Sequence, residues 1–156
     1  MDEKILLNYS IKYLSKYDSS KNNLKYVLKR KIYRMKIRDN EKNSLQKSIE
    51  SILNKLERNN FINDKRYLLS KITYLSKSGK SRKYILNYLL KKGLDRKDVE
   101  FAFSKFSENN LDWEISSAKL FAKRKKLINS SESYEKKLSK MARAGFSYET
   151  SKKILG

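Results

Sequence analysis

The stretch from Ser81 to Gly93 recurs as Ser133 to Gly145, with Leu86 matched by Leu138, Leu89 by Met141, and an apolar residue after each glycine. The two copies start 52 residues apart, Ser81 against Ser133. Self-similarity at that period points to stacked helical modules rather than to one mixed domain. Each copy opens on a serine, whose hydroxyl caps a helix N-terminus, and closes on a glycine free to take the left-handed C′ conformation.

The rest of the chain agrees with an all-helical reading. It has no proline, and its glycines (Gly79, Gly93, Gly145 and Gly156) fall outside the apolar-periodic runs, where each would cost about 1 kcal/mol against alanine. Leu45, Ile49, Ile52, Leu53 and Leu56 define one buried stripe, as do Leu68, Ile72 and Leu75 after Asn63 or Asp64, and Val99, Ala102, Phe103 and Phe106 after Asp95. Helices are predicted at about 4–17, 20–37, 41–58, 63–77, 81–92, 95–108, 112–128, 132–144 and 147–155. They group in threes, as modules 1–60, 61–110 and 111–156 of one continuous structural unit, with middle helices beginning near Ser20, Ser81 and Ser133. Superposing Ser20 on Ser81 puts Ile32 where Gly93 would be, so the first middle helix runs on. The break then comes at Arg38-Asp39-Asn40-Glu41, with Asp39 or Asn40 as the next cap.

Charge narrows the function. The chain's 38 Lys plus Arg against 17 Asp plus Glu give a formal charge of +21, which favours an acidic partner such as nucleic acid or an anionic protein groove. Cysteine and histidine are both absent, which removes thiol nucleophiles, imidazole bases, disulfides and the usual zinc ligands. The remaining carboxylates are scattered, Asp95 and Asp98 read as helix-start charges, and there is no phosphate-cradling glycine loop; no enzyme, cofactor or metal site is expected. No run approaches a bilayer span of roughly 18 apolar residues, and Met1-Asp2-Glu3-Lys4 before Ile5, Leu6 and Leu7 is too short for a signal sequence. A cytoplasmic monomer is expected.

The basic residues most suited to hold such a partner cluster at Lys29-Arg30-Lys31 with Arg34 and Arg38, at Lys80, Arg82 and Lys83 with Lys91 and Lys92, and at Lys123-Arg124-Lys125-Lys126. The second repeat copy adds Lys136, Lys137, Lys140 and Arg143. Arginine's planar fork makes bidentate contacts with phosphate or carboxylate, which favours Arg30, Arg34, Arg82 and Arg124. Tyr9, Tyr13 and Tyr17, and again Tyr84 and Tyr88, have the spacing of a packed helix face, so half-buried packing is preferred to stacking on bases. Trp113 is expected to anchor the seventh helix beside Ile115, Ala118 and Ala122.

The segments Phe61 to Tyr67, Gly79 to Gly93 and Ala144 to Thr150 together resemble the RecX family of bacterial regulatory proteins, which act on the RecA recombinase filament. Phe61-Ile62-Asn63-Asp64-Lys65-Arg66-Tyr67 is similar to the family's aromatic, aliphatic, Asp-Asp, Arg-aromatic segment. Gly79 through Gly93 looks like its Gly, basic, Ile, Leu, Lys-Gly pattern, and Ala144-Gly145-Phe146-Ser147-Tyr148-Glu149-Thr150 is close to its closing motif. Asn60, Asn63 and Leu68 depart from the pattern at positions that concern packing and caps. The resemblance implies three tandem three-helix repeats in an elongated, curved array. It also implies a partner, the RecA filament on DNA, whose recombinase and ATPase activities would be modulated without catalysis by this chain. Asp64, Arg66, Tyr67, Gly79, Gly93 and Gly145 would then be structural. The alternative is a free-standing, nonspecific binder of single- or double-stranded nucleic acid.

Overall fold

The computed structural model describes residues 3–156. Met1 and Asp2, the start of the segment read as too short for a signal, lie outside the described residues. Every regular element described is a helix: α1 Lys4–Leu14, α2 Lys21–Arg34, α3 Asp39–Arg58, α4 Asp64–Ser76, α5 Arg82–Lys91, α6 Arg96–Asn109, α7 Trp113–Arg124, α8 Tyr134–Arg143 and α9 Tyr148–Leu155. The all-α reading and the order of elements hold. The chain divides into two compact units, one running up to Tyr67 and including Lys92–Leu94, the other made of Leu68–Lys91 and Asp95–Gly156.

The caps fall where serine and aspartate predict them. Ser20 Oγ accepts from the Asn23 N–H at 3.1 Å, Ser81 Oγ from Tyr84 at 3.1 Å, Ser133 Oγ from Lys136 at 3.3 Å and Ser147 Oγ from Thr150 at 3.1 Å. Asp95 Oδ1 takes the Lys97 N–H at 2.8 Å, and Asn63 rather than Asp64 caps α4, accepting from Arg66 at 3.0 Å. Several boundaries differ from the sequence reading: α1 ends at Leu14 rather than near residue 17, and α2 at Arg34 rather than near residue 37. Helix α3 starts at Asp39, so neither Asp39 nor Asn40 is its cap; Arg38 occupies that place without a side-chain bond. Helix α7 stops at Arg124, not near residue 128, because Lys126 and then Asn129 turn into the left-handed region, at φ 56° and 60°.

In the first unit, Leu6 of α1, Leu24, Val27, Leu28 and Ile32 of α2, and the full predicted α3 stripe bury one core, closed by Ile62. Tyr9 and Tyr13 pack partly against it, while Tyr17 is exposed. In the second unit, Leu68, Ile72 and Leu75 of α4, Ile85 and Leu89 of α5, and Val99, Phe103 and Phe106 of α6 are buried. Trp113 opens α7 stacked on Phe103 (ring centroids 5.9 Å) and edge-on to Phe106 (5.8 Å), with Nε1 donating to Ser107 Oγ at 3.3 Å. Ala118, Ala122, Leu127, Met141 and Phe146 form a further cluster under α7, α8 and α9.

One hydrogen-bonded arrangement occurs twice. In the first unit the Ser20 hydroxyl donates to the Lys92 carbonyl at 2.8 Å, and Asp64 Oδ1 accepts the Lys21 N–H at 2.9 Å. In the second unit Ser81 donates to the Ala144 carbonyl at 2.7 Å, and Glu114 Oε2 accepts the Arg82 N–H at 2.7 Å. Each acceptor carbonyl immediately precedes a glycine with positive φ, Gly93 at 79° and Gly145 at 96°. A Cβ on Gly93 would collide with the Asn22 side chain, and one on Gly145 with Ser81 Oγ. These glycines therefore provide both a backbone turn and room for an earlier segment. Ile32, the superposed residue of α2, is fully buried, and α2 continues two residues beyond it. The chain does not turn there, so no glycine is required.

Candidate functional site

The core stripe of α2 dictates what its other side shows. With Leu24, Val27, Leu28 and Ile32 turned inward, Tyr26, Lys29, Arg30 and Tyr33 point to solvent at spacings of three and four, the repeat of a single helix face. Arg34 ends the helix one turn beyond Arg30 and is also exposed. Neither Arg30 nor Arg34 has a hydrogen-bond or ion-pair partner among the described residues. Lys31 is turned away, with its ammonium 5.0 Å from the Tyr9 ring centroid. Lys42 of α3 comes up beside Tyr33, donating to its carbonyl at 3.0 Å and lying 5.6 Å from its ring centroid.

In the second unit the cations divide into engaged and open ones. Arg82, a favoured candidate for partner contact, has its guanidinium bonded to Glu100 and placed 4.7 Å from the Phe103 ring centroid. Arg124 donates to the Ser78 carbonyl at 2.7 Å. Lys80 sits 4.6 Å from the Tyr84 ring centroid. Lys83 and Lys91 are exposed on α5, and Lys123, Lys125 and Lys126 are exposed at the end of α7, where cations also favour the negative end of the helix dipole. Lys92 is half-buried in the first unit, and its carbonyl is the one Ser20 holds. Lys125, Lys140 and Arg143 line a cleft with Phe121 and Ala144.

The motif residues are bound into the fold. Tyr67 is buried, and Arg66 donates to the Asn60 carbonyl from its two terminal guanidinium nitrogens, each at 3.4 Å. Gly79 takes φ 80°, and a Cβ placed there would meet only ordinary contacts with the Phe121 backbone and the Ser117 carbonyl. Among the described residues two carboxylates are shifted. Glu50 is held below the ordinary glutamate range by a hydrogen bond from Lys25 and then by that ammonium's charge, and Glu132 by a hydrogen bond from Lys140.

Tyr26 and Tyr33 are the surface features that sequence reading passed over. They are 64% and 80% exposed, and the signal was their position opposite the Leu24–Ile32 stripe, in a helix without a single acidic residue. Among the described residues no group of three His, Cys, Asp or Glu side chains is placed to hold a metal, and no helix is long and apolar enough to cross a membrane.

No family model matches the chain. Two solved structures share its fold, each at a TM-score of 0.69 over 97% of its length: RecX from Lactobacillus salivarius, 24% identical with 93% of that chain covered, and a structure described as regulatory protein RecX, 19% identical with 70% covered. In sequence it is 30% identical to regulatory protein RecX of Myxococcus xanthus strain DK1622 over 162 aligned residues, taking in 96% of this chain and 83% of that protein. With that identity sustained across almost its whole length, the chain belongs to the RecX family of regulatory proteins.

Proposed function

We propose that this protein binds the RecA recombinase filament on DNA and modulates it, mainly by inhibiting its recombinase and ATPase activities, in the control of DNA repair and recombination. Family membership across 96% of the chain carries this reading. The surface supports it: a net charge of +21 suits the acidic surfaces of a DNA-bound filament, and Arg30 and Arg34 have no hydrogen-bond or ion-pair partner among the described residues. The reading includes three helical modules, 1–60, 61–110 and 111–156, acting as one monomeric unit in the cytoplasm; the twice-made serine-to-carbonyl arrangement supports the modular part.

Purified protein added to the recombinase on single-stranded DNA is expected to slow strand exchange and ATP hydrolysis. Unchanged rates at saturating protein would overturn the proposal. A second reading, nonspecific nucleic-acid binding without a filament, is favoured by the open cations of α2, α5 and α7. It predicts strong DNA affinity with no effect on the recombinase. If roughly 6 phosphates are neutralised, log affinity falls against log salt with a slope near −5 on duplex DNA.

A further inference from the structure

We propose that the outward face of α2 is a binding site for single-stranded nucleic acid, with the Tyr26 and Tyr33 rings stacking on unpaired bases and Lys29, Arg30 and Arg34 holding the phosphates. The inference deepens the reading above, on which it rests for its setting, by naming a residue set and the chemistry it takes.

Charge singles out this face. The two lysines at the start of α2 are matched by acids of α3, Lys21 to Glu57 at 3.3 Å and Lys25 to Glu50 at 2.8 Å. Beyond them the matching ends. Arg30 and Arg34 have no ion pair among the described residues, and Asp39 and Glu41 at the start of α3 form none with them. The face is thus positive by construction, and its complement is a polyanion.

The aromatic pair says which polyanion. Tyr26 and Tyr33 are the large apolar side chains exposed on α2, with no exposed aliphatic residue beside them. An apolar protein partner would be met by aliphatic and aromatic groups together at the centre of a dry patch. Isolated rings between cations are instead the composition of a single-strand platform, where every base offers a π-face and every step a phosphate. Seven residues of helix separate the two positions by about 10 Å along the axis, so the rings meet different bases of one strand rather than the same base. A duplex keeps its bases stacked inside and would engage the arginines alone.

The test is fluorescence anisotropy of a labelled oligo-dT strand and of a duplex of equal length, at fixed salt and without recombinase. The double variant Tyr26→Ala/Tyr33→Ala is expected to lose about tenfold or more in affinity for oligo-dT, with its duplex affinity little changed. Tyr26→Phe/Tyr33→Phe should bind oligo-dT like the parent, since the ring does the stacking. Arg30→Gln/Arg34→Gln should weaken both ligands. An oligo-rU strand assigns the source: tyrosine-dependent binding of either strand supports the site, and the tighter one identifies it as DNA or RNA. Because both rings are exposed, the alanine variant should keep the parent's far-UV circular dichroism. Undiminished oligo-dT affinity in that variant, or equal losses on single strand and duplex, overturns the inference. Running the variants in the recombinase ATPase assay separates the two proposals: inhibition that persists without tyrosine-dependent DNA binding removes this site alone, and tyrosine-dependent DNA binding without inhibition removes the filament reading alone.

Discussion

The Ser81 hydroxyl donates to the Ala144 carbonyl at 2.7 Å across 63 residues of sequence, while accepting the Tyr84 N–H at 3.1 Å. One side chain therefore starts α5 and ties it to the end of α8. Ser20 does the same between α2 and the Lys92 carbonyl, 72 residues away. Ser133 caps α8 but donates to no such carbonyl among the described residues.

The same substitution at these three serines should then have unequal costs. Ser20→Ala and Ser81→Ala each remove a cap worth about 1 kcal/mol and strand a carbonyl whose bond contributes about as much, so a loss near 2 kcal/mol is expected. Ser133→Ala should cost about 1 kcal/mol or less. Urea unfolding of the three variants measures the ranking; equal midpoints would refute the shared role of Ser20 and Ser81.

The glycines make a parallel comparison. Gly145→Ala places a left-handed alanine, at about 1–2 kcal/mol, and drives its Cβ into Ser81 Oγ, breaking the bond to Ala144. Gly79→Ala incurs the backbone term with ordinary contacts around the new methyl, the nearest at 3.4 Å. Thermal unfolding should show Gly145→Ala as the more damaging change, by roughly 2–4 °C for each further kcal/mol.

Arginines that look alike in the sequence separate by what they touch. Arg82→Ala removes the ion pair to Glu100 and the stacking on Phe103; because the pair is about four-tenths exposed, screening limits the loss to about 1 kcal/mol. Arg30→Ala, which breaks no bond among the described residues, should leave stability within about 0.5 kcal/mol while weakening partner binding. Denaturation midpoints combined with recombinase and DNA titrations distinguish the two classes.

Acid should release the contact between Lys140 and Glu132. The hydrogen bond from Lys140, at 2.6 Å, lowers the Glu132 pKa from its ordinary 4.5. The carboxylate form is favoured in the folded state, so its contribution is present above pH 4.5 and disappears as pH falls through the lowered folded value. Carboxyl NMR titration of Glu132 should show that depressed midpoint, and Lys140→Met should raise it toward the ordinary value.

Much of this was readable in the linear chain because helix starts and stops are local chemistry. Ser20, Ser81, Ser133, Asp95 and Ser147 announce their helices, and Gly93 and Gly145 their ends. The α3 stripe needed only periodicity. The end of α7 was hidden because the left-handed residues that stop it are Lys126 and Asn129, neither of them glycine. The fates of Arg82 and Arg124 were hidden for another reason: their partners Glu100 and Ser78 lie 18 and 46 residues away, distances over which composition carries no pairing information. Tyr26 and Tyr33 passed unnoticed because tyrosine at helical spacing is more often packed, and only the burial of the opposite stripe shows which way these two face.

The single tryptophan of the chain, Trp113, sits against Phe103 and Phe106, all three in the second unit. The protein therefore carries its own optical label, confined to one half. Indole emission followed through denaturation reports on the second unit alone, while backbone dichroism sums both. Coincident or separated transitions would tell whether the two halves unfold as one cooperative body.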